Sequence, residues 1–274
     1  MVLSARLRSA VALAGRYPVL AGADLDVRAG EVLVVRGPNG AGKTSLLRVM
    51  AGLLPLAAGE AEVLGLDPSA DARSLRPLVG LLGHKNGLYD ELTAEQNVRF
   101  VARAARRDLG AVPAALERLG FGHRLRETPA SKLSAGQRRR LALACLLVKG
   151  PLLWLLDEPH AGLDAEHREL LDGLLREVAA GGSSVVLASH EHRATAMLAD
   201  RVVNMAGGVV LDGVLPLGRS GGSPGDPVGA GPVPAGPVPA GPVPAGPVPA
   251  GPVPAGPVPA GPVPAGVGEA QSVA

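Results

Sequence analysis

The stretch EVLVVRGPNGAGKTSLLRVM, residues 31–50, decides the fold of this chain. Its first seven residues are mostly apolar and rich in valine, which predicts a buried strand. The apolar spacing from residue 44 to residue 54 predicts a helix. Between the two, GPNGAGKT (residues 37–44) matches the pattern GxxxxGK[ST], the glycine-rich loop that cradles phosphates between a strand and a helix.

This loop has the residues that a nucleoside triphosphate and its Mg²⁺ ion need. Glycines let the backbone amides turn inward onto phosphate oxygens, and the helix N-terminus adds the positive end of its dipole. We expect Lys43 to reach the β- and γ-phosphates and Thr44 to hold Mg²⁺. The predicted nucleotide-binding residues of the loop are Gly37, Pro38, Asn39, Gly40, Ala41, Gly42, Lys43, Thr44 and Ser45.

Two further apolar segments, PLLWLLD (residues 151–157) and SSVVLAS (residues 183–189), predict buried strands. An amphipathic helical pattern lies between them at residues 165–180. This alternation predicts an α/β domain with a largely parallel core sheet. Helical patterns replace strand patterns between about residues 84 and 150, so we expect a helical insertion into the α/β core.

Polar residues follow both of these strands, at the sheet edge where ligands bind in open α/β folds. We expect Asp157 to hold Mg²⁺ and Glu158 to polarise the attacking water as general base. Taken alone, such an acidic pair is often only a helix start. His190, after the second strand, is a candidate for contact with the γ-phosphate, and its position after the acidic pair supports that role.

The segment LSAGQRRRLALA, residues 133–144, predicts a second anion-binding helix start. Ser134 is a candidate N-cap and Gly136 follows it, which leaves free backbone amides at a positive dipole end. At helical spacing Arg138, Arg139 and Arg140 spread around the helix and form no single basic face. We therefore expect all three to lie on a solvated surface with one or two ion pairs.

The composition excludes several classes of protein. The chain has 27 Lys and Arg against 25 Asp and Glu, and its net charge of +2 attracts nucleic acid only weakly, so we expect no nucleic-acid partner. Its single cysteine, Cys145, lies in an apolar run and predicts a core residue. No apolar run approaches the roughly 18 residues of a membrane span, and we expect no signal peptide.

The composition changes near residue 218. The pentapeptide GPVPA repeats seven times between residues 231 and 265, and its prolines prevent both helix and ladder. We predict a disordered, polyproline-rich tail over residues 218–274. It is either a tether or ligand for a proline-binding partner or a tolerated product of replication slippage, and the second explanation is favoured.

The order of these motifs resembles that of ATP-binding cassette (ABC) proteins over about residues 5–215, and LSAGQ is similar to the signature of that family. The resemblance implies a P-loop NTPase cassette at residues 1–217, with a RecA-like core and an inserted helical subdomain at about 84–150. It also implies a head-to-tail dimer, in which Ser134 and Gly136 of one copy close on the γ-phosphate held by Lys43 of the other. AGLD (residues 161–164) is similar to the family segment that lies along the dimer interface, so the resemblance implies that Asp164 lies there. His190 matches the switch histidine of the family.

Two residues depart from the family pattern. His84 stands where the family usually has a glutamine that contacts Mg²⁺ and the membrane partner. Tyr17 is the nearby candidate for the aromatic ring that stacks on adenine, and its spacing from the phosphate loop is short.

The segment GHKNGLYDELTAEQN (residues 83–97), together with LSAGQRRR, resembles the ATPase subunit of the haem exporter of cytochrome c maturation. That resemblance implies ATP hydrolysis coupled to export, a separate transmembrane permease subunit, and a peripheral position on the cytoplasmic face of the membrane. Drug and antibiotic exporters carry similar loops and remain an alternative. A soluble ABC ATPase acting on DNA is disfavoured, because Lys43 and Leu133 are only 90 residues apart with no heptad array between them. One acting on ribosomes is also disfavoured, because such proteins typically hold two cassettes in one chain and this sequence has the motifs of one.

Overall fold

Two sheets, seven α-helices and a short 3₁₀ helix (Ala130–Lys132) make up the computed structural model, which describes residues 2–190 and 198–215 without the side chains of 212–215. The strands are β1 (Leu3–Ala14), β2 (Tyr17–Arg28), β3 (Val32–Arg36), β4 (Leu56–Val63), β5 (Val79–Leu82), β6 (Leu153–Asp157), β7 (Ser184–Ser189), β8 (Arg201–Ala206) and β9 (Val209–Leu215). The helices are α1 (Lys43–Met50), α2 (Ala72–Leu75), α3 (Ala94–Ala104), α4 (Ala111–Arg118), α5 (His123–Arg126), α6 (Ala135–Lys149) and α7 (Ala165–Ala180). The tail predicted for residues 218–274 lies outside the described residues.

The core sheet has the strand order β5-β6-β7-β3-β8-β9. Its first five strands are parallel and β9 is antiparallel to β8. Alternate residues of the central strands pack on opposite faces: Val32 and Val34 face one apolar cluster, and Leu33 and Val35 face the other. Burial on both faces explains the continuous apolar runs in the sequence, and the predicted α/β class is confirmed.

A second, antiparallel sheet of order β2-β1-β4 was not anticipated from the sequence. Its inward residues form one apolar cluster with α1 and with one face of the core sheet. Polar contacts also join the two layers. The hydroxyls of Ser4 on β1 and Ser184 on β7 are 2.7 Å apart, and Arg201 on β8 donates a hydrogen bond to the carbonyl oxygen of Asp26 on β2.

Between β5 and β6 the chain forms helices α3 to α6, in agreement with the helical pattern of the sequence. Helices α3 and α6 both begin with a capping box, at Thr93 and Ser134. Most of the body of α6 is buried, and burial raises the pKa of the Cys145 thiol to about 12. The start of α6 is therefore exposed, whereas the rest of the helix is mostly buried.

The strands predicted from apolar runs agree with the structure to within two residues at each end. Helix α7 has the predicted bounds, whereas α1 ends at Met50 rather than at residue 54. Gly52 adopts a φ of +66°, a left-handed conformation that ends the helix. Within the described ranges, no helix combines the length and apolar character that crossing a bilayer requires.

Candidate functional site

The strand order brings the ends of three strands to one edge of the core sheet. Strand β7 lies between β6 and β3, with Asp157 level with Ala188 and Ser189 level with Arg36. The phosphate loop, the acidic pair and His190 follow these three strands. Residues from distant parts of the chain, from Gly37 to His190, therefore follow the same edge of the sheet.

The phosphate loop connects β3 to α1 and wraps around its own lysine. Lys43 is buried, and its Nζ donates hydrogen bonds to the carbonyls of Gly37 at 2.7 Å and Pro38 at 3.1 Å. Gly42 caps α1 with a φ of +102°, and a Cβ at this position would lie 2.6 Å from the carbonyl oxygen of Val19. Only glycine fits here, and with no side-chain cap the first amides of α1 can face an anion.

Thr44 and Asp157 are brought together from α1 and β6. The Thr44 hydroxyl donates a hydrogen bond of 2.7 Å to the Asp157 carboxylate. Both are hard oxygen ligands of the kind that Mg²⁺ takes alongside phosphate oxygens. The donor set therefore fits the magnesium ion predicted from the sequence.

Glu158 and His190 form a second pair at the same edge. Nδ1 of His190 is 2.8 Å from Oε1 of Glu158. Glu158 has a φ of +47°, in the left-handed region that non-glycine residues rarely adopt, and its amide donates to the carbonyl of Ala188. Such strain concentrates where a side chain must point in a special direction, and here the direction is toward the cleft.

A cleft of about 510 Å³ opens above these residues. It is lined by phosphate-loop residues 39–45, by His84, Asp157 and Glu158, and on the far side by Pro18, Val19, Gly207 and Gly208. Tyr17 does not line it and is 79% exposed. The base of a nucleotide in this cleft would rest on aliphatic and glycine surface.

The remaining predicted site residues lie away from this cleft within the chain. Ser134 caps α6, and its Oγ accepts a hydrogen bond of 3.2 Å from the Gln137 amide. Gly136 lies against the loop before α7, where an added Cβ would be 2.7 Å from the carbonyl oxygen of Gly162. Asp164 caps α7, and the hydrogen bond it accepts from the His167 amide lowers the pKa of its carboxyl.

The prediction for the three arginines was wrong for Arg139. Arg138 pairs with Asp90 at 2.6 Å, and Arg140 lies over the Phe121 ring. Arg139 is only 5% exposed and donates to backbone carbonyls at the acidic pair. It shares a helix face with Leu143 and Leu146, so the i, i+4, i+7 pattern of α6 could have identified it as buried.

Known proteins resemble this chain in sequence and in fold. Residues 20–161 match the family model described as ABC transporter. The cytochrome c biogenesis ATP-binding export protein CcmA of Bordetella bronchiseptica is 46% identical over 179 residues, which are 64% of this chain and 77% of that protein.

Two solved structures share the fold. One is described as an ATP binding subunit of an ABC transporter, and it covers 78% of this chain and 90% of its own at a TM-score of 0.72 and 24% identity. The other is the cassette MJ0796, a dimer in a post-hydrolysis state with ADP and Pi. It covers 79% of this chain and 100% of its own at a TM-score of 0.70 and 23% identity.

Proposed function

Since this chain belongs to the ABC transporter family, we propose that it drives an exporter that acts in cytochrome c biogenesis and carries haem. As a member of that family the chain binds and hydrolyses ATP. The observation that carries the proposal is the sheet edge, where Lys43, the Thr44–Asp157 pair and Glu158 line one cleft and His190 pairs with Glu158. The name of the 46% identical relative, an ATP-binding export protein of cytochrome c biogenesis, supports the choice of exporter.

The phosphate loop and Lys43 bind the triphosphate. Lys43 Nζ exchanges its two carbonyl partners for β- and γ-phosphate oxygens, and the loop amides bind the remaining oxygens. Thr44 and Asp157 hold Mg²⁺, which neutralises phosphate charge when it is bound. Together these groups stabilise the charge that develops during phosphoryl transfer.

Glu158 accepts the proton of the attacking water. Its carboxylate is held by His190 at 2.8 Å, and the left-handed backbone turns it out of the strand direction. His190 thereby positions the base, and its contact with the γ-phosphate remains part of the proposal. His84 lines the same cleft from the loop after β5, and it takes the place of the family glutamine near Mg²⁺.

A second copy of the chain completes the site. Ser134 is exposed and does not line the cleft of its own chain, so its helix start is available to a nucleotide held elsewhere. We place Ser134 and Gly136 on the γ-phosphate of the partner copy, with Asp164 at the seam. The dimeric state of the MJ0796 cassette is consistent with this arrangement.

The membrane part of the exporter is a separate permease subunit, and the nucleotide chemistry belongs to residues 1–217 of this chain. The region of His84 and Glu95 passes the opening and closing of the dimer to that permease on the cytoplasmic face. Nucleic acid is no partner, in keeping with the net charge of +2.

Replacement of the base tests the mechanism. Glu158→Gln keeps the shape of the side chain but cannot accept a proton, so we expect ATPase activity to fall at least about 100-fold while ATP binding and a trapped dimer remain. Turnover, nucleotide affinity and size-exclusion profile are measured. The control is Glu169→Gln, at an exposed position on α7. Wild-type turnover by Glu158→Gln would refute the assignment of the base.

The cargo is tested in the cell. Replacing the native gene with the Glu158→Gln form should abolish covalent haem staining of c-type cytochromes and leave drug resistance unchanged. Normal staining with lost drug resistance would instead support a drug or antibiotic exporter, which the loop of residues 83–97 also resembles.

A further inference from the structure

Arg139 is a buried cation whose guanidinium donates hydrogen bonds to backbone carbonyls of the candidate site. It lies in the second turn of α6 and is 5% exposed. Its Nη2 donates to the carbonyl oxygens of Asp157 and Glu158, the latter at 2.7 Å, and its Nε approaches that of Pro159 at 3.5 Å. One guanidinium thus faces three consecutive carbonyls.

Three consecutive carbonyls can face one group only where the strand alternation is broken. In a regular strand, successive carbonyls point to opposite sides. The left-handed φ of +47° at Glu158 breaks this alternation directly after β6. This conformation is unfavourable for a residue with a Cβ, so it persists only where its surroundings hold it.

The other side of the same guanidinium holds the loop that carries His84. Nη1 of Arg139 donates to the carbonyl oxygen of Gly83 at 2.7 Å and to Oδ1 of Asn86 at 3.2 Å. Arg139 is therefore a cross-link between three segments: the start of α6, the end of β6 and the loop after β5. Each of these segments carries a residue assigned to the nucleotide site.

The charge of Arg139 is balanced by dipoles rather than by a direct carboxylate partner. Burial lowers the pKa of its guanidinium, and the nearby charges of Asp157 and Glu158 oppose that effect. The preceding residue, Arg138, has instead a direct carboxylate partner. Arg138 pairs with Asp90 at a part-exposed position, which makes it a matched control.

We infer that Arg139 is a positioning residue for hydrolysis, which fixes the backbone of Glu158 and links it to the loop that carries His84. The inference rests on the proposed role of Glu158 as general base. Because the contacts of Arg139 are to backbone carbonyls and Asn86, its loss affects the chemical step and not nucleotide binding.

The first experiment separates kcat from binding. Arg139→Gln and Arg139→Lys each lack the fork that spans both sets of carbonyls, so we expect kcat per nucleotide-binding site to fall at least about tenfold. KM and the Kd for a fluorescent ATP analogue stay within about twofold of wild type, since the direct ligands are intact. Arg138→Gln should change kcat by less than about twofold.

The second experiment is chemical rescue, a readout that lost stability alone would not produce. Arg139 lines a cleft of about 290 Å³ with Ala135 and Gly162, through which a small cation can enter. Millimolar guanidinium, far below denaturing concentrations, should restore part of the kcat of Arg139→Ala and not that of Glu158→Gln, while urea at the same concentration restores neither.

Three results would overturn the inference: an unchanged kcat per site in both Arg139→Gln and Arg139→Lys, a loss confined to nucleotide affinity, or a lower Tm without guanidinium rescue. The proposed role of Glu158 fails separately, if Glu158→Gln hydrolyses ATP like the wild type. Arg139→Lys and the Ala variant with guanidinium keep the inference testable if Arg139→Gln does not fold.

Discussion

The starts of α1 and α6 were both predicted to bind phosphate, yet the structure builds them in opposite ways. The start of α1 has glycine as its N-cap, with no side-chain cap, and its lysine is buried. The start of α6 is exposed and closed by its own side chains: Ser134 accepts from the Gln137 amide, and Gln137 accepts from the Ser134 amide.

This difference indicates which site is complete in one chain. At α1 the open amides, the lysine and the Thr44–Asp157 pair converge on one cleft, so a single copy can bind a triphosphate. At α6 an anion must use the Ser134 hydroxyl in competition with the capping box, or neighbouring amides that lie outside the cleft lined by the phosphate loop. This contrast supports the proposal that the start of α6 acts on a nucleotide held by a second copy of the chain.

Removing the lysine of α1 should have the largest effect. Lys43→Ala deletes a buried cation that faces the phosphates, so we expect the Kd for MgATP to rise about 100-fold, or about 2.7 kcal/mol. Isothermal titration calorimetry measures it. Lys132→Ala, an exposed lysine just before α6, serves as the control and should bind normally. If the Kd for MgATP rises less than about threefold in Lys43→Ala, the start of α1 is not the stronger of the two phosphate sites.

Glycine substitution tests why the second residue of α6, Gly136, is glycine. A methyl group at Gly136 meets the carbonyl oxygen of Gly162 at 2.7 Å, so Gly136→Ala should destabilise the fold by about 1–3 kcal/mol in urea unfolding. At Gly173, inside α7, no atom lies within 4 Å of the added methyl. Gly173→Ala should therefore stabilise the fold by about 0.5–1 kcal/mol. If neither variant lowers the free energy of unfolding, packing against Gly162 does not explain the glycine at position 136, and contact with a ligand becomes the explanation.

The smallest expected effect separates capping from catalysis. Ser134→Ala and Thr93→Ala each delete the hydroxyl of a capping box, so each should cost about 1 kcal/mol of stability. Only Ser134→Ala should also lower ATPase turnover, by about tenfold at protein concentrations that favour the dimer. Turnover is followed against protein concentration. Equal turnover in the two variants would confine Ser134 to its capping role.

Much of the fold follows from local patterns. The run of valines predicts β3, which the structure places at Val32–Arg36, and the amphipathic pattern predicts α7 at Ala165–Ala180. The antiparallel sheet was missed, because β1 and β2 show mixed burial along their lengths rather than one continuous apolar run. Arg139 was misassigned because neighbouring charges suggest solvent, whereas burial is decided by the face on which each side chain lies.

The sequence by itself determined the phosphate loop, since strand, glycines, lysine and helix are contiguous and their chemistry is local. Only the tertiary structure decided that Thr44 meets Asp157 across 113 positions, and that Arg139 reaches Gly83 across 56. The physical reason is that strand order and helix rotation depend on which apolar faces pack together. A local pattern can show which face of a segment is buried, but the segment against which that face packs is chosen between distant parts of the chain.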